Sequence, residues 1–261
     1  MAKLSKNVDW RGKAVNFCKG CSNACRYCYV TNMGCNFRWA TLDDRNTMVV
    51  RQKDVNKKHK NYGCQVMFPS SHDITPQVID PAMKVLHNLI DAGNERILIV
   101  TKPQIHCIIP LCKEFSEHKD KIVFRFTIGS LNNEILSYWE PGASKAEERL
   151  QCLMYAHEKG FQTSISMEPM LDHDNIGAII QTLRPYVNHS IWLGIMSPKL
   201  YFLKNNLGEE FNNALKAIYE KETPEKLFDI YHLYVGDPLI KLTASIYDKL
   251  KIERNRPEFL L

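Results

Sequence analysis

The sequence lacks the long apolar segments that place a chain in a membrane or on a secretory route. No stretch approaches eighteen uninterrupted apolar residues, and the opening segment MAKLSKNVDWRGK has no apolar core like that of a signal peptide. Internal repeats and low-complexity tracts are also missing. The composition, 44% hydrophobic and 24% charged over 261 residues, is that of a globular protein with one large core. We therefore expect a cytoplasmic protein with no membrane partner.

The sequence also lacks an even set of cysteines, which a closed disulfide framework would need. It has nine, and cysteines in a reducing compartment are thiols or metal ligands rather than bridges. Four of them fall within eleven residues, in the segment CKGCSNACRYC that begins at Cys18. The other five are scattered at single sites and are predicted to pack in the core: Cys35, Cys64, Cys107, Cys112 and Cys152.

Acidic residues are scarce in the first sixty positions, which carry thirteen Lys or Arg and four Asp, a net charge of +9. The remaining 201 residues carry −4. Clustered basic side chains favour a polyanionic partner because phosphate binding releases counterions, so we expect a nucleic acid or nucleotide near these elements. The densest run, RQKDVNKKHK at 51–60, has the alternative of a solvated helix face that binds nothing.

Short β-branched apolar runs alternate with amphipathic segments of helix length, a pattern typical of a parallel sheet built from βα repeats. The predicted strands are residues 14–17, 64–68, 96–101, 121–128, 162–167 and 190–196. The predicted helices are residues 42–58, 76–92, 105–117, 145–159 and 174–186, followed by 209–222, 224–233 and 238–252. We expect an α/β fold, a partial (β/α)6 barrel of TIM type over residues 1–200, with a helical extension over 201–261. The active site of such a fold gathers at the carboxyl ends of the strands.

The cysteine cluster follows the first predicted strand, where chemistry is expected. A structural zinc normally takes two cysteine pairs separated by a long loop, but only three residues separate Cys21 from Cys25. A cubane iron–sulfur cluster fits this spacing better, since successive thiolates on one turning loop can reach different corners. Cys21, Cys25 and Cys28 would hold three irons and leave the fourth open. Zinc stays the alternative, and Cys18 is predicted to pack as a small apolar residue.

The spacing Cys21-x3-Cys25-x2-Cys28, with Tyr27 beside the last cysteine, resembles the signature of the radical S-adenosylmethionine (SAM) enzymes. The resemblance implies a [4Fe–4S] cluster whose fourth iron chelates SAM, and reductive cleavage of SAM to a 5′-deoxyadenosyl radical. It also implies an electron donor such as flavodoxin or ferredoxin. Four further stretches are similar to the spore photoproduct lyase branch of these enzymes: FPSSHDITPQ at 68–77, ILIVTKPQ at 97–104, RFTIGSLNNEILSYWEPGASKAEERL at 125–150 and SISMEPMLD at 164–172.

The four stretches that resemble the spore photoproduct lyase branch contain candidate SAM contacts. Asp73 at a strand end can accept hydrogen bonds from a ribose diol, with capping of the helix after Pro76 as its alternative. Lys102 offers a positive charge to the SAM carboxylate, unless it is a solvated loop lysine. Thr127 could donate its hydroxyl, and Tyr27 could hold adenine through its backbone and ring.

Ser71 is a further candidate contact, and Glu168 is expected to point into the barrel mouth and touch substrate or SAM. Glu140 and Arg149 also occur in the spore photoproduct lyase branch that the sequence resembles, and we expect them to hold a loop in place. The lyase proper uses a cysteine just before its Ser-Asp pair, whereas this chain has no thiol over 68–71. Direct repair of a thymine dimer by that route is therefore not expected.

Three functions remain open at this point. The first is a radical SAM enzyme that acts on a nucleic acid or nucleotide, and a base in a duplex would then have to leave the stack. The second is a radical SAM enzyme that acts on a peptide or small metabolite. The third is a non-catalytic zinc or iron–sulfur protein that binds nucleic acid, which analysis of iron, sulfide and zinc would distinguish.

Overall fold

The structure, a computed structural model, describes residues 12–253 and is built around one parallel sheet. Its strands are β1 (Lys13–Ala14), β2 (Cys18–Lys19), β3 (Val49–Val50), β4 (Val66–Phe68), β5 (Ile97–Thr101), β6 (Ile122–Thr127), β7 (Gln162–Met167), β8 (Ser190–Leu193) and β9 (Ile240–Leu242). Seven of them form the sheet in the order β1-β4-β5-β6-β7-β8-β9, and β2 pairs separately with β3. No pairing joins β1 to β9 among the described residues, so the sheet is an open, partial barrel.

Helices follow most of the strands. They are α1 (Tyr29–Asn36), α2 (Leu42–Asn46), α3 (Gln52–Val55), α4 (Ile79–Asp91), α5 (Ile105–Glu114), α6 (Asn133–Trp139), α7 (Ala146–Glu158), α8 (Ile176–Leu183), α9 (Tyr201–Asn206), α10 (Gly208–Lys221), α11 (Pro224–Tyr234) and α12 (Ala244–Leu250). Short 3-10 turns cover Pro76–Val78, Ser116–Lys121, His173–Asn175 and Arg184–Tyr186. The predicted α/β class is confirmed, with βα units from β4 to β8.

The main core lies between the sheet and its helices. Along β6, Phe124 and Phe126 belong to this core, together with buried residues of α4, α5 and α7. Successive side chains of a strand point to opposite faces, so Arg125 and Thr127 lie on the other face of the sheet. A second apolar cluster joins α6, α9 and α10.

The predicted helix over 42–58 is wrong. A capping box between Thr41 and Asp44 starts α2, but the helix stops after Asn46. Val49–Val50 then pairs antiparallel with Cys18–Lys19, as suits β-branched residues, and only the short α3 follows. The predicted strand end at Cys18 is thus a separate two-residue strand that leads into the cysteine loop.

The predicted helix over 238–252 is also wrong, because its first part is a strand. Ile240 and Leu242 are buried on either side of the half-buried Lys241. This segment pairs in parallel with β8, with Ile240 opposite Ile191. The sheet therefore has seven strands where six were predicted, and the segment after residue 200 contributes to it.

Three helices that the sequence did not predict are α1, α6 and α9. Each is eight residues or shorter, and α1 and α9 pack against one another. The Asn32 side chain of α1 accepts from the Phe202 amide at 3.0 Å and donates to the Lys199 carbonyl at 2.8 Å. Among the described residues, no helix is long and apolar enough to cross a bilayer.

Candidate active site

The cysteine loop is fixed at both ends by backbone contacts. Gly20 has a φ of +73°, and a Cβ there would lie 1.8 Å from the Thr47 carbonyl oxygen, so only glycine fits this close approach. The Cys21 amide donates to the Arg45 carbonyl at 2.7 Å, and Cys28 is the N-cap residue of α1. The predicted cluster ligands therefore lie on a short loop between two anchored ends.

Cys21, Cys25 and Cys28 are free thiols, and each is partly exposed. Burial raises the pKa of Cys21 to about 12 and raises the pKa of Cys25 well above its ordinary value. Both thiols also lie in the electrostatic field of Cys28, so the three sulfur atoms share one neighbourhood. Within residues 12–253, no three His, Cys, Asp or Glu side chains converge as ligands of one metal ion. The short spacing of these thiols along one loop suits the separate corners of a cubane better than a single zinc ion.

Asp73 connects the cysteine loop to the ends of β4 and β5. One carboxylate oxygen accepts from the Thr101 hydroxyl and, at 2.7 Å, from the Ile74 amide. The other accepts from the Asn23 side chain at 2.5 Å and from the Lys102 amide at 2.9 Å. Burial raises the pKa of Asp73, although Lys102 and these donors oppose the shift. None of the four bonds caps the helix that follows, so the alternative capping role is wrong.

Glu140 is buried between the cysteine loop and α7. Its carboxylate accepts from the Tyr27 hydroxyl and lies 2.6 Å from Nη1 of Arg149 and 3.7 Å from Nζ of Lys102. Burial raises the pKa of Glu140, but Lys102 and Arg149 outweigh burial and hold the pKa below its usual range. Burial lowers the pKa of Lys102, but nearby acidic groups, the Glu140 and Asp73 carboxylates among them, raise it well above its ordinary value. Lys102 and Glu140 are therefore both charged, and Lys102 is not a solvated loop lysine.

The structure brings several predicted site residues together around this buried pair: Cys21, Cys25, Cys28, Tyr27, Asp73 and Lys102. Thr127 lies beside them, since its carbonyl accepts from Nη1 of Arg149 at 3.1 Å. The Ser71 carbonyl accepts from Arg45 at 3.1 Å. Glu168 follows β7, two strands along the sheet from Lys102. The contacts of these residues with SAM stay predictions.

Sequence reasoning missed three residues that position the site: Asn16, Asn23 and His72. The His72 ring accepts from the Phe17 and Cys18 amides, each at 3.3 Å, and burial lowers the pKa of His72 to about 4, so the ring is neutral. The Asn16 side chain accepts from the Ser71 amide at 3.0 Å. Two of the three lie in segments that the sequence analysis quoted, His72 in FPSSHDITPQ and Asn23 in CKGCSNACRYC.

The end of the basic run at 51–60 lies at the amino edge of the sheet, away from the cysteine loop. The Asn94 side chain donates to the Lys60 carbonyl and accepts from the Tyr62 amide, both at 3.0 Å. Asn94 comes shortly before β5, whereas the site lies where β5 ends. The exposed lysines at the end of this run therefore do not line the site.

Comparison with known proteins places the whole site within one family. The Radical SAM superfamily model matches residues 15–185, which include the cysteine loop and β4 to β7. An uncharacterized protein, ORF301 of Acidianus two-tailed virus, is 29% identical over 179 residues, 63% of this chain and 58% of that protein. The match thus spans little more than half of the viral protein's length.

Two solved structures share the fold. A spore photoproduct lyase mutant with bound AdoMet and dinucleoside spore photoproduct has a TM-score of 0.52 at 16% identity, covering 88% of this chain and 75% of that chain. SuiB of Streptococcus suis bound to its precursor peptide SuiA has a TM-score of 0.53 at 11% identity, covering 95% of this chain and 54% of that chain. With the three-cysteine loop directly after β2 and the family match over 171 residues, the chain belongs to the radical SAM superfamily of enzymes, which carry a [4Fe–4S] cluster and bind SAM.

Proposed function

We propose that this protein is a radical SAM enzyme whose substrate is a nucleic acid or a nucleotide. Cys21, Cys25 and Cys28 hold the [4Fe–4S] cluster, and Lys102, beside Cys25, binds the SAM carboxylate. When bound, the reduced cluster and SAM supply a 5′-deoxyadenosyl radical. The further proposed SAM contacts are Tyr27, Ser71, Asp73 and Thr127. A flavodoxin or ferredoxin is the expected electron donor.

Replacing Lys102 by methionine is expected to weaken SAM binding while the iron content stays unchanged. The change removes a charged contact worth roughly 1.5–3 kcal/mol, or about ten- to a hundredfold in affinity, but removes no thiol. Equilibrium dialysis of labelled SAM against the anaerobically reconstituted protein measures this loss. Lys57→Met, an exposed lysine of the basic run, is the matched control and is expected to bind SAM normally. Equal SAM affinity in the two variants would remove Lys102 from the site.

The observation that carries the nucleic acid proposal is a row of exposed side chains directly after Cys28. Tyr29, Met33 and Phe37 recur at intervals of four residues, so they lie on one face of α1 and its C-cap. They are 48%, 45% and 69% exposed. The Tyr29 hydroxyl donates to the Ser70 carbonyl at 2.8 Å, which puts the start of the row beside the segment that follows β4. Exposed aromatic rings such as those of Tyr29 and Phe37 stack on unpaired bases, and each stacked base contributes roughly 1–3 kcal/mol to the binding free energy.

The sequence segment that carries this row is basic, and the acidic Asp43 and Asp44 follow it in the pocket that Arg38 and Trp39 line. Residues 12–42 contain four basic residues and no acidic one. Arg26 and Arg38 flank α1, and Trp39, 54% exposed, adds another ring. Aromatic side chains beside guanidinium groups are the combination with which proteins bind single-stranded nucleic acid.

Binding of a labelled single-stranded oligonucleotide, followed by fluorescence anisotropy, tests this proposal. We expect binding that weakens with salt, with a log–log slope of about −0.7 for each phosphate neutralised. Phe37→Ala is expected to weaken it about tenfold, since one stacked base is lost. The control Phe228→Ala removes an exposed phenylalanine ring of the same kind from α11, and this variant is expected to bind the oligonucleotide normally.

The same oligonucleotide is expected to increase 5′-deoxyadenosine formation by the holoprotein in dithionite. Reversing Lys57 and Lys58 to Glu is expected to leave oligonucleotide binding unaltered, because the end of the basic run lies at the opposite edge of the sheet. Stimulation by peptides but not by DNA or RNA would replace this proposal with a peptide substrate.

A further inference from the structure

Glu168 lies at the end of β7, on the sheet face opposite the helices. The alternate residues Ile165 and Met167 pack into the core with the helices, so Glu168 points the other way. Arg125 of β6 lies on the same face, where its Nε donates to Ser164 Oγ at 2.9 Å. The carboxyl ends of the strands form the mouth of the partial barrel, and Glu168 is therefore a residue of the mouth.

Glu168 differs from the other acids near the site in its lack of a partner. Asp73 has four donors, and Glu140 is paired with Tyr27 and Arg149. In the described part of the chain, the Glu168 carboxylate has no hydrogen bond and no ion pair, although it is only half-exposed. The Glu168 oxygens are not among the buried side-chain atoms without a partner, so they are open to the mouth, and a ligand there can donate hydrogen bonds to them.

The end of β8 leaves room for this side chain. A Cβ at Gly194 would lie 2.7 Å from Cγ and 2.9 Å from Cδ of Glu168, so a larger residue would displace the carboxyl group. The Gly194 amide donates to the Met167 carbonyl at 3.1 Å, which fixes the backbone on both sides. Glu168 is thus held across the strand ends before any ligand arrives.

Burial and a nearby positive charge have opposite effects on the pKa of Glu168. Burial raises the pKa of Glu168 to about 7, and Arg125, 2% exposed, opposes the shift from β6. At the end of β8 and just after β9 the neighbours of Glu168 are the uncharged Gly194 and Thr243. The charged Lys241 of β9 lies on the same face of the sheet, paired with Trp192 two residues before these strand ends. Hydrogen-bond donors on a ligand would favour the ionised form of Glu168 at neutral pH.

We propose that Glu168 accepts hydrogen bonds from the amino edge of a nucleobase bound in the mouth. Carboxylates pair with exocyclic amino groups of bases, and base-modifying enzymes bind a flipped base by its Watson–Crick edge. In the register of the sheet Lys102 is level with Ser166, so Glu168 lies two strands across and two residues further along, about 12 Å away, within reach of a ligand that extends from the cysteine loop. The base is either the adenine of SAM or a base of the nucleic acid substrate, and the second case rests on the proposed function.

Glu168→Gln is the test, because it keeps the size of the side chain and removes its charge. We expect the affinity for labelled SAM or for the single-stranded oligonucleotide to fall about ten- to a hundredfold, with an unchanged iron content. Glu158→Gln makes the same change on an exposed residue at the end of α7, at the opposite edge of the sheet, and is expected to alter neither affinity.

The pH dependence separates recognition from a merely structural role. Protonation removes the negative charge and turns one acceptor oxygen into a donor, so in the wild-type protein the affected affinity is expected to fall as the pH falls through about 7. Glu168→Gln is expected to lose this dependence, and Glu168→Asp, which keeps a carboxylate, to retain it. If Glu168→Gln does not fold, the pH dependence of binding by Glu168→Asp and by the wild-type protein still tests the proposed role of Glu168.

A loss confined to SAM binding would identify adenine as the base, and a loss confined to the oligonucleotide would identify the substrate. Unchanged affinities for both ligands, or a flat pH profile in the wild-type protein, would overturn the proposal for Glu168. If the wild-type protein binds no oligonucleotide, the proposed function fails, and the SAM measurement alone decides the role of Glu168.

Discussion

Replacing Cys21, Cys25 or Cys28 by alanine, one at a time, is expected to abolish the [4Fe–4S] cluster. Each thiolate would bind a different iron of the cubane, so the remaining two cannot retain it. The loop that carries them is anchored at Gly20 and at the start of α1. Iron and sulfide content after anaerobic reconstitution, with the broad brown absorbance of the cluster, measures the loss.

Cys18→Ala is the matched control and is expected to keep the full cluster. Cys18 is 2% exposed, and its Sγ lies 3.0 Å from the Lys19 carbonyl, within the short ladder of β2 and β3. A small apolar substitution there removes a packed thiol and no ligand. Loss of the cluster in Cys18→Ala, with retention in any of the three loop variants, would contradict the ligand assignment.

Glu140→Ala is expected to lower the free energy of unfolding by about 3–5 kcal/mol. The Glu140 and Arg149 side chains are both fully buried and lie 2.6 Å apart, so the substitution leaves an uncompensated guanidinium in the core. It also removes the acceptor of the Tyr27 hydroxyl, which joins the cysteine loop to this pair. Urea unfolding under anaerobic conditions, at equal cofactor loading, measures the effect.

Two further variants show whether the loss of stability in Glu140→Ala comes from the unpaired buried charge or from the smaller side chain. Glu220→Ala breaks an exposed pair with Lys216 at 3.9 Å and is expected to cost less than about 1 kcal/mol. The double variant Glu140→Leu with Arg149→Met removes both charges and is expected to recover much of the loss, because apolar pairs often replace buried ion pairs without penalty. A double variant as unstable as Glu140→Ala would show that the deficit comes from packing.

The central strands were predictable because their residues are buried on both faces. β5 is an almost continuous apolar run, and β6 and β8 are mostly apolar, which is typical of a parallel sheet covered by helices. The central β7, QTSISM, is buried although four of its six residues are polar. The edges were harder to predict. Val49–Val50 is only two residues long, and β9 depends on pairing with β8, which no local pattern encodes.

The sequence by itself determined the cofactor, because the three cysteines predicted to hold the cluster lie within eight residues and their spacing is a local property. It also determined the order of the βα units and the strand ends that carry Asp73, Lys102, Thr127 and Glu168. These features depend on residues that are close together in the chain, and the local composition and periodicity of the sequence reflect such residues.

The tertiary structure alone decided which polar groups meet. Asn23 donates to Asp73 across 50 positions, and Tyr27 donates to Glu140 across 113. It also put the end of the basic run at the amino edge of the sheet and left Glu168 without a partner in the mouth. The physical reason is that a hydrogen bond or an ion pair requires two groups within a few ångströms, and only the crossing of distant segments in the folded chain sets that distance.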